Sequence, residues 1–340
     1  MTSRGISPEA MTMSDAALKL RPLGIGELLD RAFNVFFKNA IPLISLLAVV
    51  IVPMAIVEYF MTRDILGAEF GIFQQAINHP TAAPDTRIVD QMNNALMGSV
   101  LGPWVGLYYL MLFIALPLAN AAVVVGVSRA YLGGEVRFKD CYSVALRRWL
   151  PILLLVVMWF IALFAAMFTL VFAFIVVGVA IGALVGLLKG VGAVIGAIIG
   201  IAFALALVGF AIMAYMSFAS SFIALVLENV DPIRAFGLGF SRIFGGGLFW
   251  RSVLMALAML AIFIGFGLVA AAVAFLLFWF LKSPFIYVAV TQLVNLFFIA
   301  FAFVAVALYY YDVRIRREGF DLQVLADQIG GGRPAPSSTG

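Results

Sequence analysis

Between Pro151 and Glu228 the chain reads PILLLVVMWFIALFAAMFTLVFAFIVVGVAIGALVGLLKGVGAVIGAIIGIAFALALVGFAIMAYMSFASSFIALVLE, and its only charge before Glu228 is Lys189. A helix crosses the hydrocarbon of a bilayer, about 30 Å thick, with about 20 apolar residues. This run is long enough for more than one crossing, so lipid rather than water is its solvent, and the fold class is all-α integral membrane. The whole chain agrees. Of 340 residues, 65% are hydrophobic and 11% charged, with a mean hydropathy of +1.14. Soluble domains carry about 25% charged residues.

Working outward, four more apolar runs stand at about 40–60, 101–127, 253–281 and 284–310. The bias of Lys and Arg decides how many crossings the long run holds. Seventeen of the 21 basic residues fall in four groups: 1–39, 128–150, 228–251 and the C-terminal end. Only Arg63, Arg87, Lys189 and Lys282 fall elsewhere. The positive-inside rule then places both termini in the cytoplasm and gives the long run two spans, about 152–177 and 202–227, for six in all. Three crossings there would put the last basic clusters on the wrong side. The expected location is a bacterial plasma membrane, multi-pass. The net charge of +4 does not point to nucleic acid, because the basic residues flank spans instead of forming a stripe.

Each odd-numbered span follows a short amphipathic stretch. In the first, Ile25, Leu28, Leu29, Ala32, Phe33 and Phe36 oppose Glu27, Asp30, Arg31, Asn34 and Lys38; in the second, Phe138, Tyr142, Ala145, Leu146 and Trp149 oppose Lys139, Asp140, Ser143, Arg147 and Arg148. In the third, Asp231 is an N-cap with Pro232 at the first helical position. Such helices lie in the interface with basic residues toward lipid head groups. Arg31-Ala32-Phe33 recurs as Arg234-Ala235-Phe236, and Lys38 and Pro42 recur as Arg147 and Pro151. The expectation is three repeats of interfacial helix plus transmembrane hairpin within a six-span domain, 25–329. A flexible cytoplasmic N-terminus, 1–24, precedes it, without the apolar stretch of a secretory signal. A disordered tail, 330–340, follows.

Gly178, Gly182, Gly186 and Gly190, then Gly192, Gly196 and Gly200, flank Lys189. Glycine at four-residue spacing lets another backbone approach closely, so these positions are read as helix-packing sites in an apolar hairpin, 178–201, with its glycine faces in contact. A helix from Ile152 to Leu188 would be about 55 Å long at 1.5 Å per residue. The hairpin either projects beyond the bilayer or breaks and re-enters; a projecting one needs a partner, either internal packing within this chain or other membrane proteins or a second copy.

Reactive chemistry is sparse. The single histidine, His79, and the single cysteine, Cys141, exclude histidine triads, intrachain disulfides and cysteine-based zinc sites. Reversible acylation or an inert buried thiol are the two readings of Cys141. The polar residues inside spans are Asn120, Thr291, Gln292 and Asn295, as a polar lining or as interhelical hydrogen-bonding glue; Pro117 and Gly126 hint at a discontinuity in span 2. The outer segment 61–100 is expected to form two short helices, Asp64–Ile77 and Asp85–Met97, about a turn at His79-Pro80. No catalytic, metal or cofactor site is expected.

Two blocks, Arg21–Phe33 (RPLGIGELLDRAF) and Tyr309–Ala326 (YYYDVRIRREGFDLQVLA), resemble the ends of the bacterial glycerophosphoryl diester phosphodiesterase membrane-domain-like family. The resemblance implies a multi-span helical domain, in some members fused to a soluble phosphodiesterase. This chain has no soluble segment large enough for that enzyme and lacks the histidines such catalysis needs. The expected function is therefore non-enzymatic: binding or organising membrane lipids or partner membrane proteins. Arg31, Lys38, Arg147, Arg148, Arg242, Arg314, Arg316 and Arg317 are the candidate head-group contacts. The alternative is a transporter or lipid-translocating protein with a cleft between repeats.

Overall fold

The computed structural model describes residues 23–78, 86–188, 190–245 and 247–319. The N-terminal segment before Leu23, the His79-Pro80 turn, the Lys189 turn and the C-terminal tail lie outside the described residues, as do the surroundings of Gly186 and Gly190. The described residues form helices joined by short links, without a strand, and six helices are long and apolar enough to cross a membrane.

In chain order the helices are α1 (Ile25–Lys38), α2 (Ala40–Asn78), α3 (Thr86–Leu101), α4 (Pro103–Leu110), a π-turn (Met111–Ala115), α5 (Leu116–Tyr131) and α6 (Phe138–Arg147). They continue as α7 (Trp149–Leu188), α8 (Gly190–Leu227), α9 (Pro232–Phe244), α10 (Phe249–Leu281) and α11 (Pro284–Glu318). The short helices α1, α6 and α9 each bury one face, with Leu28, Ala32 and Phe36 the buried side of α1. Asp231 caps α9 as its sequence predicts, accepting from the Arg234 backbone N–H at 3.0 Å.

Two junctions are single residues with nearly the same backbone. Asn39 joins α1 to α2 at φ −123°, ψ 23°, and Arg148 joins α6 to α7 at φ −111°, ψ 21°. The α9–α10 junction is longer and starts at Gly245 in an extended conformation.

Three segments depart from expectation. The first outer helix is not separate: α2 continues unbroken to Asn78, because nothing in Met61–Ile77 stops a helix. α3 folds back on it. Phe70 and Phe73 of that extension pack on Phe278, Phe275 and Trp279 at the far end of α10, with ring centroids from 4.8 to 5.8 Å apart. The second span is not one α-helix. Pro117 has no N–H to donate and its ring crowds the carbonyl four residues earlier, and the chain widens into the π-turn just before it. The third departure is at the glycines. α7 and α8 run straight through the hairpin, about 60 Å and 57 Å long at 1.5 Å per residue for 40 and 38 residues. Yet an added Cβ at Gly178, Gly182 or Gly200 would meet nothing within 4 Å. At these three positions the glycine face is open, while Gly192 is buried, and Phe174 meets Phe203 between the two helices with centroids 4.4 Å apart. Close glycine packing occurs elsewhere: Gly126 of α5, where a Cβ would come within 3.1 Å of Leu46, and Gly239 of α9, where it would meet the Ser217 carbonyl at 2.4 Å.

α11 is the axis of the bundle, touching α1, α2, α5, α8 and α10. Of its most apolar 18-residue window, 61% is buried, against none for α7 and α8. The core lies toward the end of the bundle that carries the basic residues, where α11 is buried almost continuously from Ala300 to Val313.

Candidate functional site: a tyrosine–arginine joint and its basic collar

At that basic end α11 carries Tyr309-Tyr310-Tyr311-Asp312. Successive residues of an α-helix step round the axis by about 100°, so four in a row point in four directions. Only a helix surrounded on all sides can use them all, and this one does. The Tyr309 hydroxyl shares a hydrogen bond of 2.7 Å with Ser252 of α10. Tyr310 donates to Glu228 and accepts from Arg242 at 2.8 Å. Tyr311 shares a hydrogen bond of 2.8 Å with Ser128 of α5 and stacks on Tyr131. Asp312 accepts from the Leu23 backbone N–H at 2.9 Å and from Arg251 and Arg316 at 3.0 Å each. The blocks at the two ends of the sequence therefore meet, 289 residues apart.

Arg242 is the centre of the charged network. Its side chain is 4% exposed and its guanidinium forks onto both oxygens of Glu228, at 2.7 and 3.1 Å, and onto Glu318 at 2.6 Å. Arg314 reaches Glu318 at 3.0 Å and Glu228 at 3.5 Å. Two cations thus meet two carboxylates. Burial alone would lower Arg242, but the hydrogen bonds to Glu228 and Glu318 and the negative charge around it outweigh burial and hold it above the ordinary arginine value. Arg148 turns inward and donates to the carbonyls of Leu225, in the last turn of α8, and Val230, in the link to α9. It satisfies acceptors that every helix C-terminus leaves open.

Of the eight predicted head-group contacts, the structure therefore engages six within the chain. Arg148, Arg242, Arg314 and Arg316 are held as above; Arg317 donates to the Ser241 carbonyl, and Arg31 lies 5.1 Å over the Tyr131 ring. Lys38 and Arg147 are exposed and form no ion pair among the described residues. Lys139 and Arg234 share that condition. Each of these four follows a large exposed apolar side chain: Phe37 (69% exposed), Phe138 (44%), Leu146 (54%) and Ile233 (74%). The pairs Phe37-Lys38, Phe138-Lys139, Leu146-Arg147 and Ile233-Arg234 lie on all three short helices. Every other described basic residue at this end has a partner, Arg129 and Arg137 included.

In the sequence Lys139 stands on a polar face and Arg234 in the Arg-Ala-Phe echo, neither of them among the predicted head-group contacts. Glu228, Glu318 and Asp312 are not among the sequence-predicted site residues. The legible signal was the run of three tyrosines and an aspartate at the end of an apolar helix.

The polar residues within the spans do not share one cleft. Asn120 faces a cavity of about 240 Å³ among α5, α7, α8 and α11. Gln292 donates to Glu58 across the α2–α11 contact, beside a separate cavity of about 190 Å³. Thr291 bonds its own helix at Tyr287 and Val288, and Asn295 is exposed. Cys141 is fully buried in α6, and burial pushes its thiol up from the ordinary value. Among the described residues no group of three or more His, Cys, Asp or Glu could hold a metal ion. No protein-family model, curated protein or solved structure matches the chain.

Proposed function

We propose that this is a non-enzymatic multi-pass protein of a bacterial plasma membrane, with both termini cytoplasmic, that gathers anionic lipids around its basic end. One observation carries the reading: each of α1, α6 and α9 presents a cation without an ion pair among the described residues, directly after an exposed large apolar residue. That is the pattern of a segment lying in the interface, with its apolar residue among acyl chains and its cation among phosphates. A cation near an anionic surface contributes about 1 kcal/mol. Lys38, Lys139, Arg147 and Arg234 together would enrich anionic lipids at the collar. The paired arginines inside it fix the geometry of the three helices.

Three repeats of interfacial helix and hairpin underlie the collar. α6 and α9 each pack on the span before them, α5 and α8, and α1 takes the last span, α11, in that role. The matched backbones at Asn39 and Arg148 coincide with the sequence echo of Lys38 and Arg147. The resemblance of Arg21–Phe33 and Tyr309–Ala326 to the phosphodiesterase membrane-domain-like family is consistent with this reading, since Leu23 and Asp312, one from each block, are in contact. On this reading the α7–α8 hairpin extends beyond a hydrocarbon core of about 30 Å and offers Gly178, Gly182 and Gly200 to a partner membrane protein or a second copy.

The test is native mass spectrometry from nanodiscs of equal phosphatidylglycerol and phosphatidylcholine. The parent protein should retain phosphatidylglycerol selectively, and the quadruple change Lys38→Gln, Lys139→Gln, Arg147→Gln, Arg234→Gln should abolish the selectivity. Equal retention by parent and variant overturns the proposal.

A further inference from the structure

We propose that the cavity at Asn120 is a binding site for a slender membrane-dwelling molecule bearing one hydroxyl group, entering sideways from the bilayer. This rests on the lipid-binding reading above but uses a different surface. The first observation is the Asn120 amide. Its Oδ1 is buried without a hydrogen-bond partner among the described residues. An unsatisfied polar group in hydrocarbon is expensive, and asparagine in a spanning helix normally finds a partner on a neighbouring one. Here the facing positions on the neighbours are Val156, Phe222 and Phe303, which offer none.

The second observation is the shape of the wall. The cavity of about 240 Å³ is bounded on one side by the π-turn and Pro117, through Leu112, Phe113 and Leu116. π-turns inside α-helices occur frequently at functional sites. The wide turn carries Phe113 to the edge of Phe160 on α7, with ring centroids 5.6 Å apart. Both rings are exposed, Phe113 by 39% and Phe160 by 55%. They form a mouth on an apolar surface, so whatever enters comes from lipid.

The third observation is depth. Asn120 lies eleven residues from Tyr131 at the basic end of its helix, or about 16 Å, half of a hydrocarbon core of about 30 Å. A charged head group has no counter-ion here. A hydroxyl fits, because it donates to the amide oxygen or accepts from the amide nitrogen, whichever of the two faces it. The remaining lining takes an alkyl or isoprenyl chain. A polar group held at the midplane is also the state an alcohol occupies on passing from one leaflet to the other, and the site serves as a resting point for it.

The experiment uses the full chain in phosphatidylcholine nanodiscs with a diazirine-bearing hexadecanol as the probe. Its cross-links are mapped by peptide mass spectrometry while unlabelled hexadecanol or hexadecyl methyl ether competes. Cross-links should concentrate at Phe113, Val156 and Phe160, with the alcohol competing about tenfold better than the ether. Asn120→Leu, which keeps the shape and removes the amide, should erase that difference. Val156→Phe, which fills the cavity and leaves Asn120 in place, should abolish labelling there. Equal competition by the ether in the parent protein, or an undiminished preference for the alcohol in Asn120→Leu, overturns the proposal and leaves water as the partner of the amide. Phosphatidylglycerol selectivity, measured on the same protein, separates failure of the cavity from failure of the collar.

Discussion

The two ends of the α7–α8 hairpin are made from the same apolar residues and behave differently. Near the basic end Ile152, Leu155, Met216 and Ile223 are buried against neighbours. Farther along, Phe164, Phe168 and Phe172 are 61–69% exposed and Leu205 is 67% exposed. Hydrophobicity is not what separates them, because lipid tails are as apolar as leucine and provide no net drive for helices to associate. The difference is in what accompanies the apolar residues. The basic end has small residues that admit close backbones and arginines that find partners on other helices, although Ser217 Oγ and Trp159 Nε1 have no hydrogen-bond partner among the described residues. Ser217 and Ser221 sit opposite Gly239, Trp159 stacks 5.2 Å over Phe240, and Arg148 and Arg242 bind across to α8 and α11. The distal end has Thr169, which bonds only the Ala165 carbonyl of its own helix. In this membrane fold, position is specified by polar pairing and close approach, and apolar length alone specifies only immersion.

The largest test of that contrast is Arg242→Met. It leaves Glu228 and Glu318 facing one arginine where there were two. Removing one partner from a buried ion pair is destabilising by about 3–5 kcal/mol, and the partial exposure of Glu318, 32%, places the expected loss at the low end. Unfolding in graded SDS should show it as a large shift in midpoint. Phe164→Leu in the distal hairpin should move the midpoint by less than about 0.5 kcal/mol, as exposed substitutions do. Equal effects would break the contrast.

A pair of glycines sharpens it. In Gly239→Ala the new methyl would stand 1.8 Å from the Ser221 hydroxyl and 2.4 Å from the Ser217 carbonyl. α9 must then lift from α8, and overpacking of this kind costs about 1–3 kcal/mol. Gly182→Ala meets open space and should leave monomer stability unchanged or slightly raised, since alanine is the better helix former by about 1 kcal/mol. Gly182 matters only if a second chain uses it. Gly182→Leu would then alter the size of the detergent-solubilised particle in sedimentation, and an unchanged size leaves the distal glycines to lipid.

Much of this architecture is legible in the sequence, and the boundary follows from the same physics. Six apolar helices and three amphipathic ones are visible because solvation is a local property: Leu28, Ala32 and Phe36 fall on one face whatever they touch. The destination of a guanidinium is not local. Arg148 and Arg147 are adjacent and equally basic, yet one is turned into the carbonyls of α8 and the other out to solvent, because the single-residue bend falls between α6 and α7. The predicted head-group list is built from basic residues near span ends, and it contains the arginines of the joint because pairing with Glu228 or Asp312 depends on a contact between distant segments. The hairpin glycines carry the converse lesson. A four-residue spacing shows where a close approach is possible, and the structure leaves that space open at Gly178, Gly182 and Gly200 while burying Gly192.

The smallest test asks whether a single polar bond at the basic end contributes at all. Tyr311 and Ser128 share a hydrogen bond between α11 and α5, with Tyr311 almost wholly buried. Tyr311→Phe keeps the ring on Tyr131 and removes only the hydroxyl. A hydrogen bond of this kind contributes about 0.5–1.5 kcal/mol in water-soluble proteins, and interhelical bonds in a membrane average about 0.6 kcal/mol by double-mutant cycle. The cycle Tyr311→Phe with Ser128→Ala should therefore give a coupling near the latter value, while Thr169→Val in the distal hairpin should be neutral within error. A coupling of zero would mean that Tyr311 acts through its ring alone. The specification of the basic end would then rest on Arg242, Asp312 and the glycine contacts, and the three tyrosines would be wedges between helices.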